Sequence, residues 1–184
     1  MLSLCVSASL RFTLFLLYPR VAFAAAGRVQ TPMSFTMALA DEAATEALGQ
    51  RLADAARRGD VIALAGPLGA GKSVLARAFI RRLTSNGEEV PSPTFTLVQT
   101  YAGSRGAIWH FDLFRLRGAD EALELGIEDA FADGIVLIEW PERLGNLLPP
   151  RRLAVQLSVA ADGEARRVEL EGAAWADRIG TLVA

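Results

Sequence analysis

The sequence predicts one α/β domain of three layers: a mostly parallel central sheet with helices on its faces and an antiparallel hairpin at the C-terminal end. Three observations carry this prediction. Short apolar runs alternate with amphipathic stretches of helical length between residues 35 and 139. Two of these runs, "VIALA" and "IVLIE", are apolar at nearly every position, as strands buried on both faces must be. Beyond residue 150 the pattern changes to strict apolar–polar alternation on either side of a turn.

The elements follow in order. "FTMAL" fits a short first strand. "DEAATEALGQRLADAARRG" reads as a helix with Ala44, Leu48, Leu52, Ala55 and Ala56 on one face, Asp41 as its cap and Gly59 as its stop. "DVIALAG" is a buried strand. "GKSVLARAFIRRL" is a second helix, with Leu75, Ala78, Phe79 and Leu83 on its apolar stripe. "PSPTFTLVQTYA" is a proline-stiffened loop running into a strand that includes Phe95, Leu97 and Val98. "GAIWHFDLFRL" is a strand ending near Asp112, and "ADEALELGIEDAFAD" a polar helix leading into "GIVLIEW". "RLAVQLSVA" and "ARRVELEG" form the hairpin around Asp162-Gly163, and "AAWADRIGTLV" closes the chain as a helix. The folded domain is expected over residues 33–184.

Residues 1–32 differ in character. They are apolar and loosely resemble a signal peptide, with Ala22-Phe23-Ala24 as a cleavage site, but no charged start precedes the run and Arg11 interrupts it. The stretch Phe12 to Tyr18 is too short to span a bilayer. The preferred expectation is a start codon assigned too early, with translation beginning at Met33 or Met37.

Composition narrows the function classes. A net charge of -2 argues against coating nucleic acid, DNA included, through bulk charge. One cysteine, Cys5, forms no internal disulfide, which fits a reducing cytosol. One cysteine and one histidine cannot build a zinc site of those ligands.

The 19 basic residues comprise eighteen arginines and one lysine, Lys72. That lysine completes "GPLGAGKS", Gly66 to Ser73, which satisfies G-x-x-x-x-G-K-[ST], the phosphate-binding P-loop. The match lies between a buried strand and an amphipathic helix, where the mechanism demands it. Glycines 66, 69 and 71 let the backbone approach a phosphate, and the loop amides with the helix start face the anion. Lysine brings a compact charge on a flexible stem, which arginine's planar fork does not replace. Ser73 offers a hydroxyl to Mg2+.

Such a site needs an acid at the end of a neighbouring strand to hold Mg2+. Asp112 and Glu139 both qualify. Glu139 ends the more apolar, hence more central, strand, while Asp112 shares a face with His110, two residues away. Spacing leaves the two nearly level. Thr94 and Thr96 sit on a loop that could sense a terminal phosphate, although ordinary turn chemistry explains them equally well.

"GPLGAGKS", "PSPTFTLVQTY", "HFDLFRL", "LGIEDAF" and "LIEWPERLGNLLP", in this order, resemble the TsaE family of P-loop ATPases, and "DEAATEALGQRLA" resembles its first helix. The resemblance covers about residues 35 to 170. It implies a small cytoplasmic ATPase needed to make threonylcarbamoyladenosine beside the anticodon of certain tRNAs. Such a protein resets a TsaB–TsaD heterodimer between turnovers, and its contact with tRNA is either indirect or left open by the sequence. It also implies that Glu42 and Gly69, Ala70, Gly71, Lys72, Ser73 and Val74 bind ATP, that Ser73 and Glu139 hold Mg2+, and that Asp112 serves hydrolysis. Two positions depart from the family: Ser73 where threonine is usual, and Phe114 where tyrosine is frequent.

The competing readings are a small P-loop kinase and a nucleotide-dependent binding switch without hydrolysis. The kinase needs a mobile arginine lid, whereas the arginines of "RRLAVQ" and "EARRVEL" fall on strands. A GTPase is disfavoured because the only lysine is in the P-loop, leaving none for an N-K-x-D motif.

Overall fold

The computed structural model describes residues 34–160, 163 and 165–182. The leader and Asp162 of the expected turn lie outside these residues.

Seven strands form one sheet in the order β1-β7-β6-β2-β5-β4-β3. They are β1 (Ser34–Leu39), β2 (Val61–Ala65), β3 (Val98–Gly103), β4 (Gly106–Asp112), β5 (Ile135–Glu139), β6 (Leu153–Val159) and β7 (Arg166–Glu171). The central strands β6, β2, β5 and β4 run parallel. Both edges are antiparallel. The C-terminal hairpin β6–β7 carries β1 outside it, and β3 folds back on β4. The sequence placed an antiparallel edge at the C-terminus only.

Helices α1 (Glu42–Ala55) and α2 (Lys72–Leu83) cover one face of the sheet. Their Leu48, Leu52, Leu75, Phe79 and Leu83 are buried against Ile62, Leu64, Leu137 and Val155 of the strands. The two helices cross closely enough that a Cβ on Gly49 would lie 2.5 Å from the carbonyl oxygen of Leu75. On the other face, α3 (Asp120–Glu124), α4 (Ile127–Asp133) and the 3-10 segment Pro141–Leu147 pack on Val61, Phe111, Val136 and Ile138. Over β6, β7 and β1 no helix among the described residues covers that second face, and the facing row Gln156, Glu169 and Thr36 is exposed. Their polar alternation is that of strands solvated on one side. A short 3-10 turn and α5 (Ala176–Leu182) end the fold, with Trp175 and Ile179 joining the first-face core.

Three element boundaries differ from expectation, each for a local reason. The first helix stops at Ala55 rather than Gly59, because Arg105 reaches across and donates to the carbonyls of Ala53, Asp54 and Ala56. The single polar helix is two, broken where Gly126 takes φ 74°. Phe95 and Leu97 are not in a strand: β3 starts at Val98, Leu97 has φ 65°, and Phe95 is 81% exposed. The Asp41 cap is as expected, accepting from the Ala44 amide at 2.7 Å.

Gly66 is required where β2 ends. Its φ is +141°, and a Cβ there would lie 2.3 Å from the Leu157 carbonyl oxygen of β6. The substitution Gly66→Ala is expected to cost about 3 kcal/mol, through backbone strain and a steric clash that backbone alone must absorb. Denaturant titration checks this, and an unchanged midpoint would show that the loop is free to shift.

Candidate functional site

The central strands are parallel, so the segments leaving their C-terminal ends gather on one edge of the sheet. β2 leads into residues 66–71 and then α2, β4 into Leu113, and β5 into Trp140. Cross-strand register fixes which side chains share a face. Ile62, Leu137 and His110 form one row, and Leu64, Glu139 and Asp112 the next. Both rows face α1 and α2. His110, Asp112 and Glu139 therefore point toward the start of α2, and Asp112 and Glu139 are direct neighbours on paired strands.

The loop is shaped for an anion. Gly71 caps α2 with φ 100° and has no side chain to bond the helix amides, and the first turn holds no acid. Those amides have no intrahelical acceptor, and the positive end of the helix dipole lies there. Ala70 is fully buried, its amide held to the Pro67 carbonyl at 3.2 Å. Gly69 turns outward, with open space where a Cβ would be.

Lys72 folds back on its own loop. Its Nζ donates to the carbonyls of Gly66 at 2.7 Å and Pro67 at 2.9 Å and lies 4.0 Å from the centre of the Trp140 ring. Burial lowers its pKa from the ordinary lysine value, an effect partly offset by the negative charges of Glu139, Asp112 and Glu142.

The carboxylates are held by separate partners. Glu139 accepts from Ser73 Oγ at 2.9 Å through Oε2, and its Oε1 lies 3.0 Å from His110 Nε2. Asp112 accepts from Thr94 Oγ1 at 2.6 Å and from the Phe114 amide at 3.1 Å. Thr94 is further linked to Ser92 at 2.8 Å. Arg115 does not pair with Asp112; it lies over the Phe95 ring at 4.3 Å. Asp112 and Glu139 are 4% and 2% exposed, so two like charges sit side by side out of water.

Lys72, Ser73, Thr94, Asp112, Glu139 and Trp140 line one cavity of about 220 Å³. Val74 lines it too. A smaller hollow, about 100 Å³, lies against Gly69, Gly71 and Val74 and is lined by Glu42, Thr45 and Arg166. Glu42 thus adjoins the loop but faces a different hollow from the carboxylates. Thr96 lines neither cavity.

Sequence reasoning passed over two residues. Trp140 has φ 60° directly before Pro141, and this backbone lays its ring under Lys72. A bulky residue in that conformation is uncommon, but nothing in the bare sequence signals it. Arg166 of β7 donates to the Gly69 carbonyl at 3.4 Å, a contact created by sheet order alone.

The donor set fits Mg2+. Ser73 and Glu139 offer hard oxygen ligands, already within hydrogen-bond distance of each other. No group of three or more His, Cys, Asp or Glu side chains able to hold a metal occurs among the described residues.

This sheet order and this glycine-lined loop at the head of α2 define a P-loop protein of the α/β class. The chain belongs to the TsaE family: residues 39–168 match the family model described as "Threonylcarbamoyl adenosine biosynthesis protein TsaE". Relatives described as tRNA threonylcarbamoyladenosine biosynthesis protein TsaE agree. That of Rickettsia felis is 40% identical over 121 residues, covering 66% of this chain and 71% of its own length. That of Haemophilus influenzae is 36% identical over 143 residues, covering 74% and 89%. In fold the chain is similar to the crystal structure of YdiB from Bacillus subtilis, with a TM-score of 0.66 at 24% identity, covering 83% of this chain and 95% of that one. Family membership assigns the chain to tRNA threonylcarbamoyladenosine biosynthesis. Among the described residues no helix is long and apolar enough to cross a membrane.

Proposed function

We propose that this chain binds ATP with Mg2+ at residues 69–74, hydrolyses it slowly, and uses the cycle to reset a TsaB–TsaD complex between rounds of threonylcarbamoyl transfer in the cytoplasm. One observation carries the nucleotide part: two adjacent buried carboxylates and a buried ammonium, seated on the loop's own carbonyls, share the cavity at the start of α2. A triphosphate entering alone adds negative charge to that cavity. A divalent cation held by Ser73 and Glu139 would supply the positive charge that offsets it.

Each residue then has a role. Lys72 leaves the Gly66 and Pro67 carbonyls for the β- and γ-phosphates, and the loop amides bond the same oxygens. Ser73 and Glu139 hold the cation, which when bound withdraws charge from the phosphates. Asp112, held by Thr94 and the Phe114 amide, orients the attacking water and accepts its proton as the bond to the leaving ADP oxygen breaks. Glu42 borders the nucleotide from the smaller hollow.

The partner part rests on the rim. Leu68 and Phe114, 81% and 42% exposed, line the cavity, and Phe95, 81% exposed, follows Thr94 of that lining in the chain. Such apolar side chains at a nucleotide site suit a protein partner that docks according to nucleotide state. The tRNA is then met through the partner.

Single-turnover phosphate release, measured with and without TsaB–TsaD, tests this. The expected outcome is slow release alone and faster release with the heterodimer. No release under either condition would replace the ATPase with a passive nucleotide-dependent switch.

A further inference from the structure

His110 is the only histidine in the chain, and the hydrolysis proposed above does not use it. It is 1% exposed and faces α2. β4 pairs His110 with Leu137, so Glu139, two residues further along β5, comes within reach of the imidazole edge. Nε2 lies 3.0 Å from Glu139 Oε1, while Ser73 occupies Oε2 at 2.9 Å. An ionised carboxylate only accepts hydrogen bonds, so Nε2 is the donor toward Glu139. Nδ1 is buried and has no hydrogen-bond partner. A histidine kept as a satisfied core residue bonds both nitrogens. This one makes a single bond, and that bond goes to the carboxylate.

We infer that His110 is a positioning residue for the cation: its Nε2–H fixes the Glu139 side chain so that the carboxylate stays turned to Ser73. The inference rests on Glu139 being a Mg2+ ligand, as proposed above. The physical need is clear from the neighbours. Glutamate has three rotatable side-chain bonds, and Glu139 is the acid that attracts Lys72 most strongly. Released from His110, Glu139 is free to turn away from Ser73, which would remove a cation ligand and leave the metal-free site as it was. Hydrogen bonds from a second residue to a ligating carboxylate hold the ligand against such loss.

The test compares the affinity of a non-hydrolysable ATP analogue in Mg2+ and in EDTA by calorimetry, for the wild type, His110→Asn, His110→Gln and Glu139→Ala. Glutamine places an amide nitrogen where Nε2 stands; asparagine reaches only to the place of Nδ1. The Mg2+-dependent gain in affinity is expected to fall about tenfold in His110→Asn and to stay within about threefold of wild type in His110→Gln. Affinity in EDTA should be the same in all three. If His110→Asn does not fold, His110→Leu takes its place in the comparison with His110→Gln. A full Mg2+ gain in His110→Asn, an equal loss in His110→Gln, or the same loss in EDTA would each overturn the inference. Retention of the gain in Glu139→Ala would instead overturn the metal role of Glu139, and the inference with it.

Discussion

Lys72→Ala is expected to weaken ATP binding by roughly a hundredfold, about 3 kcal/mol, while leaving the melting temperature nearly unchanged. The two effects separate because of where the ammonium sits. It bonds two carbonyls of its own loop and the face of Trp140, and it belongs to neither hydrophobic cluster. Water entering the cavity replaces those carbonyl contacts, whereas among the described residues no other cavity-lining side chain is positive. Calorimetry with a thermal melt on the same samples measures both. Lys72→Arg should rescue poorly, since a planar fork does not fit between the Gly66 and Pro67 carbonyls and a phosphate. The pH dependence has a definite sign. Burial favours the neutral amine and a bound phosphate favours the ammonium, so binding takes up protons at alkaline pH and affinity falls as pH rises through the lowered Lys72 value. Heats measured in buffers of different ionisation enthalpy report that uptake.

Glu139→Ala and Asp112→Asn are expected to fail in opposite ways. The first should abolish most of the gain in nucleotide affinity that Mg2+ provides, about tenfold or more, while metal-free binding is unchanged or tighter because one buried negative charge is gone. The second should keep the Mg2+ gain and slow single-turnover phosphate release by about a hundredfold. The distinction follows from partners: Glu139 is bonded to the P-loop hydroxyl of Ser73, and Asp112 to Thr94 on the loop before β3. Equilibrium binding in Mg2+ and EDTA, followed by phosphate release, separates them. The reverse ranking would exchange the two roles.

Much of the fold is legible because it is written in periodicity. The uniformly apolar "VIALA" and "IVLIE" are buried central strands, and the alternating segments 153–159 and 166–171 are the hairpin. Placing His110 and Asp112 on one face needed only the strand repeat of two. What the sequence could not supply is pairing across the sheet. Spacing left Asp112 and Glu139 level, and only the order β2-β5-β4 puts Glu139 opposite Leu64 and beside Ser73. The same order carries Arg166 to Gly69, nearly a hundred residues away in the chain. Phe95 and Leu97 read as strand because they alternate, yet the bond from the Leu97 amide to the Pro93 carbonyl closes a turn that brings Thr94 to Asp112. Trp140 carries no local signal, since its role depends on a left-handed backbone between Glu139 and Pro141.

The most direct measurement is a crystal structure with Mg2+ and a non-hydrolysable ATP analogue. It should show the β- and γ-phosphates against residues 69–74, Lys72 Nζ moved from the Gly66 and Pro67 carbonyls onto phosphate oxygens, and the cation between Ser73 and Glu139. A nucleotide bound elsewhere, with Lys72 still seated on those two carbonyls, would contradict the phosphate-binding role of this loop.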